Sequence, residues 1–340
     1  MTFPTTPDDL TESWLTAALG VDVHSFEVEY FGAGASIIGM VTRVRLISDG
    51  GPETIIAKFP SPAPENREVA ATYDMYSREV NFYRDIAPHI DLRVPDCYFG
   101  EFDPRTSEFL LLLEDLGNMR IGDQVAGCSV ADARMVVDGI AKLHASTWRT
   151  NKLIVSHNNP GQREGMIAGF QMGWPVVKDQ FADVIPQGTS ALAAKLPDHV
   201  GDLLDQMCSD PICVTHADVR LDNIFFGDGE IALVDWQSVC TSAPEQDLAY
   251  FITQSLSDEV RNAEDWVALY HQGLTRAGVA YDLERCRQRY RITALYLLCY
   301  ATVIAGTLDL GNERGRALGR TLFGNAMRSL AELDAFSLLA

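Results

Sequence analysis

Positive charge is scarce in this sequence: 27 Lys and Arg stand against 47 Asp and Glu in 340 residues, a formal net charge of −20. Binding a phosphate backbone needs a basic face, so this balance argues against a nucleic-acid partner. An acidic surface favours solubility and helps attract a cationic small molecule. Little in the first residues suits secretion: "MTFPTTPDDLTESW" has neither a basic start nor an apolar core, and no secretory leader is expected. Export is therefore not expected, and a cytoplasmic location is. Cysteine is sparse and odd in number, at positions 97, 128, 208, 213, 240, 286 and 299. Its apolar neighbours suit buried reduced thiols better than a disulfide framework. Cys208 and Cys213 are the one close pair, with no companion cluster to complete a zinc site. No repeat or low-complexity segment is present. The longest uncharged run, Ile292 to Leu308, has 17 residues, the lower edge of membrane-spanning length. Its Thr, Tyr, Cys and Gly content and the arginines before it predict a buried helix, and no membrane span is expected.

What is present is an ordinary globular composition, 47% hydrophobic and 22% charged. The length exceeds a typical domain and predicts a bilobal chain. Residues 7–19 read as one short helix, with Thr6 as its cap and Gly20 as its stop. Residues 23–59 carry β-branched and aromatic runs broken by "GAG" and "SDGGPE", which predicts three antiparallel strands, the last two joined as a hairpin. The last of them, "TIIAKFP", sets Lys58 among apolar residues. Apolar spacing of three and four through Val69, Tyr73, Tyr76, Val80 and Tyr83 predicts a helix over 66–86 that carries Glu79. Strands follow at 96–101 and 109–114, and the second runs into "LLLEDLG". Beyond this hinge the chain is helical over 130–147, 161–181, 189–207, 245–277 and 281–333, with strand-like runs only between 214 and 235. The expected organisation is α+β: a β-rich N-terminal lobe over 1–115 and a mainly helical C-terminal lobe over 116–340.

The chemistry concentrates in "VTHADVRLDNIFF" and "LVDW". Polar groups set between apolar strands cost burial energy unless they are paired, hydrated or bound. Transfer of a terminal phosphoryl group needs a carboxylate for the hydroxyl proton and oxygen ligands for magnesium. The spacing H-x-D-x-x-x-x-N lets a loop aim Asp218 at an incoming hydroxyl while Asn223 faces a metal, and Asp235 after the next strand supplies a metal-binding carboxylate. Lys58 is placed to reach the α- and β-phosphates, and Glu79 to hold that lysine, because an unpaired Lys in a half-buried strand is expensive.

These segments, with "PEQDLAYF", "REVNFYRDIAP" and "AKLHASTW", resemble the aminoglycoside phosphotransferase-like superfamily of small-molecule kinases, from about Phe31 to beyond Phe251. "VDWQ" leans toward its ecdysteroid kinase-like or general phosphotransferase branch. The resemblance implies a bilobal protein-kinase-like fold, with an N-terminal nucleotide-binding lobe and a C-terminal catalytic and substrate-binding lobe. It also implies an ATP- and magnesium-dependent kinase acting on a hydroxyl of a small molecule. Asp218 would be the catalytic base and Asn223 and Asp235 the magnesium ligands. Lys58 and Glu79 would form the phosphate-side ion pair, and backbone groups near Glu114 and Leu116 would pair with adenine. Two departures stand out: Ala217 occupies the middle of the usual H-G-D, and the first loop, "FGAGASIIGM", is sparse in glycine. The missing D-F-G and A-P-E, and a 151–210 region unlike any protein-kinase element, point away from a peptide acceptor. A silent nucleotide-binding interaction protein is the alternative, although degenerate kinases usually lack a base or metal residue and none is missing here. The sequence leaves the acceptor, the choice of ATP or GTP and the oligomeric state open.

Several residues have plainer readings. His216 reads as a structural fixer of its loop. Asp247 is either a helix cap or a brace for that loop, and His144 reads as packed. Arg220 is placed either to neutralise a phosphate or to pair with Asp222 or another acid. Trp174, Trp236 and Tyr250 are either pocket walls or core.

Overall fold

The computed structural model describes residues 3–31, 38–150, 154–307 and 310–339. The chain divides into two compact units, one of Met1–His89, Arg93–Arg120 and Ala232–Ser238, the other of Ile90–Leu92, Ile121–Ile231 and Val239–Ala340. The expected division at 115/116 puts 232–238 with the helical part of the chain. In space that segment packs with the β-rich unit, where Trp236 stacks on Phe82 at 3.7 Å between ring centroids.

The first unit is built on five antiparallel strands: β1 Val23–Tyr30, β2 Gly39–Ser48, β3 Thr54–Pro60, β4 Cys97–Asp103 and β5 Glu108–Glu114, in the order β1-β2-β3-β5-β4. Side chains alternate between faces along a strand. Ile55, Ala57 and Phe59 of β3 with Leu110 and Leu112 of β5 therefore join Leu10, Leu15, Val44 and Leu46 in one core. The intervening Lys58, in register with Val41 and Leu111, faces the other way. The helix Met75–Asp85 supplies that face, burying Tyr76, Glu79, Val80, Phe82 and Tyr83.

Two predicted helices are divided. The segment 7–19 is a 3-10 turn, Pro7–Asp9, followed by a helix Glu12–Leu19 that is capped by the Thr11 hydroxyl on Trp14 N and ended by Gly20 at φ +69°. Thr6 forms its capping box with Asp9 on the first turn instead. The segment 66–86 is broken at Asp74, whose φ of +54° is left-handed, a conformation that Asp tolerates better than most residues. Its two pieces are Pro64–Thr72 and Met75–Asp85.

In the second unit the helix Leu283–Thr307 packs against Pro160–Gln180, Leu196–Met207, Glu245–Tyr250 and Glu313–Glu332. Among the described residues it is the one helix long and apolar enough to cross a membrane, and 61% of its most apolar window is buried inside the fold. Its close crossing with Pro160–Gln180 depends on glycine: a Cβ on Gly173 would lie 2.6 Å from the Thr302 carbonyl oxygen, and one on Gly306 2.6 Å from the Gly173 Cα. Gly173→Ala is expected to destabilise the protein by about 1–3 kcal/mol through overpacking, read as a lower midpoint in urea. An unchanged midpoint would mean that the two helices can separate freely. The expected helix 245–277 is interrupted: Glu245–Tyr250 runs into a π-helical turn, Phe251–Ser255, before Asp258–Arg261 and Trp266–Arg276. Cys213, Cys240, Cys286 and Cys299 are buried, whereas Cys97 at the start of β4 is exposed, against the expectation for it.

Candidate active site

In the first unit, Lys58 Nζ donates to Glu79 Oε1 at 2.6 Å and Oε2 at 2.7 Å, and to Asp235 Oδ1 at 2.8 Å. All three side chains are largely withdrawn from solvent, at 9%, 2% and 21% exposed. One cation thus faces two carboxylates, leaving one excess negative charge. Burial opposes the Lys58 charge, but Asp235 and Glu79 outweigh it and hold its pKa above the ordinary lysine value. Burial likewise pushes Glu79 upward, against the pull of Lys58. Sequence spacing anticipates the Lys58–Glu79 pair; the direct contact of Asp235 with the same ammonium is new.

Asp235 sits at φ +67° just after the strand Ile231–Leu233. The next residue pins this turn: Trp236 is fully buried, and its Nε1 donates to the Leu233 carbonyl at 3.0 Å. Trp236 is therefore core rather than a pocket wall. Trp174 is also buried, stacked on Phe170.

At the end of β5 the Glu114 carboxylate takes two hydrogen bonds from Arg93, both 2.6 Å, and its N–H donates to the Asp96 carbonyl. Asp115 pairs with Arg43 at 2.6 Å and accepts from Gly117 N, while the buried Leu116 accepts from Met119 N through its carbonyl. The segment is thus braced by two ion pairs. Residues 32–37 of the glycine-sparse first loop lie outside the described residues.

In the second unit Asp218 and Asn223 come together. Asn223 Nδ2 donates to the Asp218 carbonyl at 3.0 Å and to its Oδ2 at 3.1 Å, which closes the loop on itself. Asp247, wholly buried, is the brace: Oδ2 accepts from His216 N and Oδ1 from Ala217 N, both at 2.8 Å. Burial raises the Asp247 pKa, yet hydrogen bonding and charge from His144 and His216 lower it further, so it lies below the usual carboxylate range. His144 is fully buried between Asp247 Oδ2 and the Tyr270 hydroxyl. His216 accepts from Asp218 N at 3.2 Å through Nδ1, a fixing role. Ala217 has φ +66°, which accounts for the glycine usual at this place: Gly adopts it without strain and Ala at some cost. Arg220 Nε lies 3.7 Å from Asp218 Oδ2, so the acid beside it is Asp218 rather than Asp222.

Two further residues hold this loop, Gln124, which the sequence does not single out, and Tyr250, which it offers only as a pocket wall or core. Gln124, fully buried, accepts from Leu221 N at 2.8 Å, while its own N–H donates to Asp222 Oδ1 at 2.9 Å. Its amide also bonds the Gln254 carbonyl and the Ser255 hydroxyl of the π-turn. The Tyr250 hydroxyl donates to Asp218 Oδ1 at 2.9 Å.

Among the described residues no three His, Cys, Asp or Glu side chains cluster as a metal site. Asn223 and Asp235 are hard oxygen donors, one neutral and one anionic. Each is the kind of donor that magnesium prefers, an ion that keeps waters and phosphate oxygens among its ligands.

A model of the ecdysteroid kinase-like family matches residues 34–279. No curated protein matches the chain. Among solved structures, an amicoumacin kinase in complex with AMP-PNP and Ca2+ is similar at TM-score 0.57 and 13% identity, over 97% of this chain and 94% of that one. A Ralstonia eutropha protein provisionally assigned as an aminoglycoside phosphotransferase has TM-score 0.53 and 16% identity, over 95% and 97%. A spectinomycin phosphotransferase bound to ADP and spectinomycin has 0.52 and 13%, also over 95% and 97%. At these identities the likeness establishes the bilobal kinase-like fold. The match over 34–279 takes in every residue of both constellations, and by it the chain belongs to the ecdysteroid kinase-like family.

Proposed function

We propose that the protein is an ATP- and magnesium-dependent kinase that transfers the γ-phosphoryl group to a hydroxyl of a small molecule. The observation that carries this is the buried Lys58 held between Glu79 and Asp235. A fold rarely withdraws three charges from water for stability alone, since apolar residues of similar volume do as well or better. Asp218, held at both carboxylate oxygens, is the proposed base that receives the hydroxyl proton. Lys58 is proposed to neutralise phosphate oxygens, with Glu79 holding it. Asn223, through its amide oxygen, and Asp235, through its carboxylate, are the proposed magnesium ligands; the ion would neutralise charge on the transferring phosphate. The backbone near Glu114 and Leu116 is proposed to pair with adenine. Cytoplasmic location belongs to the same reading.

The test is ADP release from ATP and magnesium across a panel of hydroxyl acceptors: amine-bearing sugars, amino alcohols, and steroid- or macrolide-like alcohols. Release that depends on one acceptor class and yields its phosphate ester supports the reading. Efficient phosphorylation of peptides, with none of small molecules, would overturn it.

A further inference from the structure

We propose that Tyr250 is a positioning residue for Asp218, its hydroxyl fixing the rotamer in which that carboxylate receives the acceptor proton. The proposal deepens the kinase reading and rests on it. Among the described residues, Asp218 Oδ1 accepts from Tyr250 Oη at 2.9 Å and Oδ2 from Asn223 Nδ2 at 3.1 Å, with Arg220 Nε 3.7 Å from Oδ2. The two donors come from different elements. Asn223 belongs to the loop itself, whereas Tyr250 ends the helix Glu245–Tyr250 that also carries Asp247. Residues three apart lie on one helix face. One short helix therefore holds the loop backbone through Asp247 and the Asp218 side chain through Tyr250. The next residues form the π-turn, a feature frequent at functional sites, whose Gln254 and Ser255 bond Gln124 and through it Leu221.

Tyr250 is fully buried, and burial pushes its pKa well above the ordinary tyrosine value, so its hydroxyl stays protonated and donates. In the transfer step the acceptor oxygen bonds the γ-phosphorus. The bond from phosphorus to the bridging oxygen breaks, its electron pair leaves with ADP, and the acceptor proton passes to Asp218. The last torsion of an Asp side chain is broad and roughly two-fold, so an unheld carboxylate presents its oxygens over a spread of angles. Near-attack geometry tolerates little of that spread.

The test compares wild type, Tyr250→Phe, Asp218→Asn and the double variant by ADP release, with calorimetric nucleotide binding and a melting temperature for each. Tyr250→Phe is expected to lower kcat by about 10- to 100-fold. KM for ATP and nucleotide affinity should stay within about twofold, a split that lost fold integrity would not give. Because Tyr250 acts through Asp218, adding Tyr250→Phe to Asp218→Asn should change kcat by less than about twofold. Tyr250→Met, a flexible apolar filler without a donor, should reproduce the loss and stands in if the Phe variant does not fold. A Tyr250→Phe kcat within about twofold of wild type, or a full multiplicative loss on top of Asp218→Asn, would overturn the proposal. If Asp218→Asn itself keeps the wild-type rate, the base assignment is wrong and the proposal falls with it. A slow Asp218→Asn beside a fast Tyr250→Phe removes the proposal alone.

Discussion

Asp218→Asn is expected to lower turnover about 100- to 10,000-fold, the range for losing a positioned general base. Nucleotide affinity should persist, because Asp218 accepts hydrogen bonds from Tyr250 and Asn223 and donates its own N–H to His216. The replacement amide keeps one acceptor oxygen for Tyr250 but has no charge to take up a hydroxyl proton. Geometry would largely survive while the chemistry would not. ADP release at saturating acceptor, with a calorimetric nucleotide titration of the same variant, checks both halves. Full turnover in Asp218→Asn would show that another group takes the proton.

Lys58→Met is expected to be the most destabilising of the single changes considered. It removes the cation between Glu79 and Asp235, both already short of solvent. Breaking a buried ion pair from one side costs about 3–5 kcal/mol, because the remaining charge has no compensation. The loss should depend on pH. Burial already raises the Glu79 pKa, and without Lys58 the charge of Asp235 adds to that rise with only the backbone hydrogen bond from Trp236 to oppose it. The folded variant then binds more protons than the unfolded chain in the interval between the unfolded and folded Glu79 pKa values. Its stability therefore falls as pH rises through that interval. Urea unfolding at pH 5 and pH 8 should give a smaller gap from wild type at the lower pH. A gap that is equal at both, or larger at pH 5, would mean that Glu79 is not the group left uncompensated.

The parts of this site legible in the sequence are those whose residue type is costly in its surroundings. Lys58 in an apolar strand demands a partner, and helical spacing places Glu79 on a face that can supply one. The H-x-D-x-x-x-x-N spacing similarly brings Asp218 and Asn223 together, and the structure has them in direct contact. Gln124 goes unread, and Tyr250 reads only as a pocket wall or core, because a glutamine in a polar segment and a tyrosine at a helix end fit many environments. Only the tertiary approach of the loop makes either a partner. The placement of Ala232–Ser238 with the β-rich unit was likewise invisible. It depends on Trp236 reaching Phe82 and Asp235 reaching Lys58, across more than a hundred residues of chain. The interrupted helices at Asp74 and Phe251–Ser255 follow the same rule, since neither glycine nor proline marks them.

Calorimetric titration with an ATP analogue that cannot be hydrolysed, with and without magnesium, is the most direct test of a kinase built on Lys58, Glu79 and Asp235. Binding should occur, strengthen with magnesium, and lose that strengthening in Asp235→Asn. Absence of binding to this analogue and to its GTP counterpart would contradict the kinase assignment. It would leave a kinase-like fold without its nucleotide.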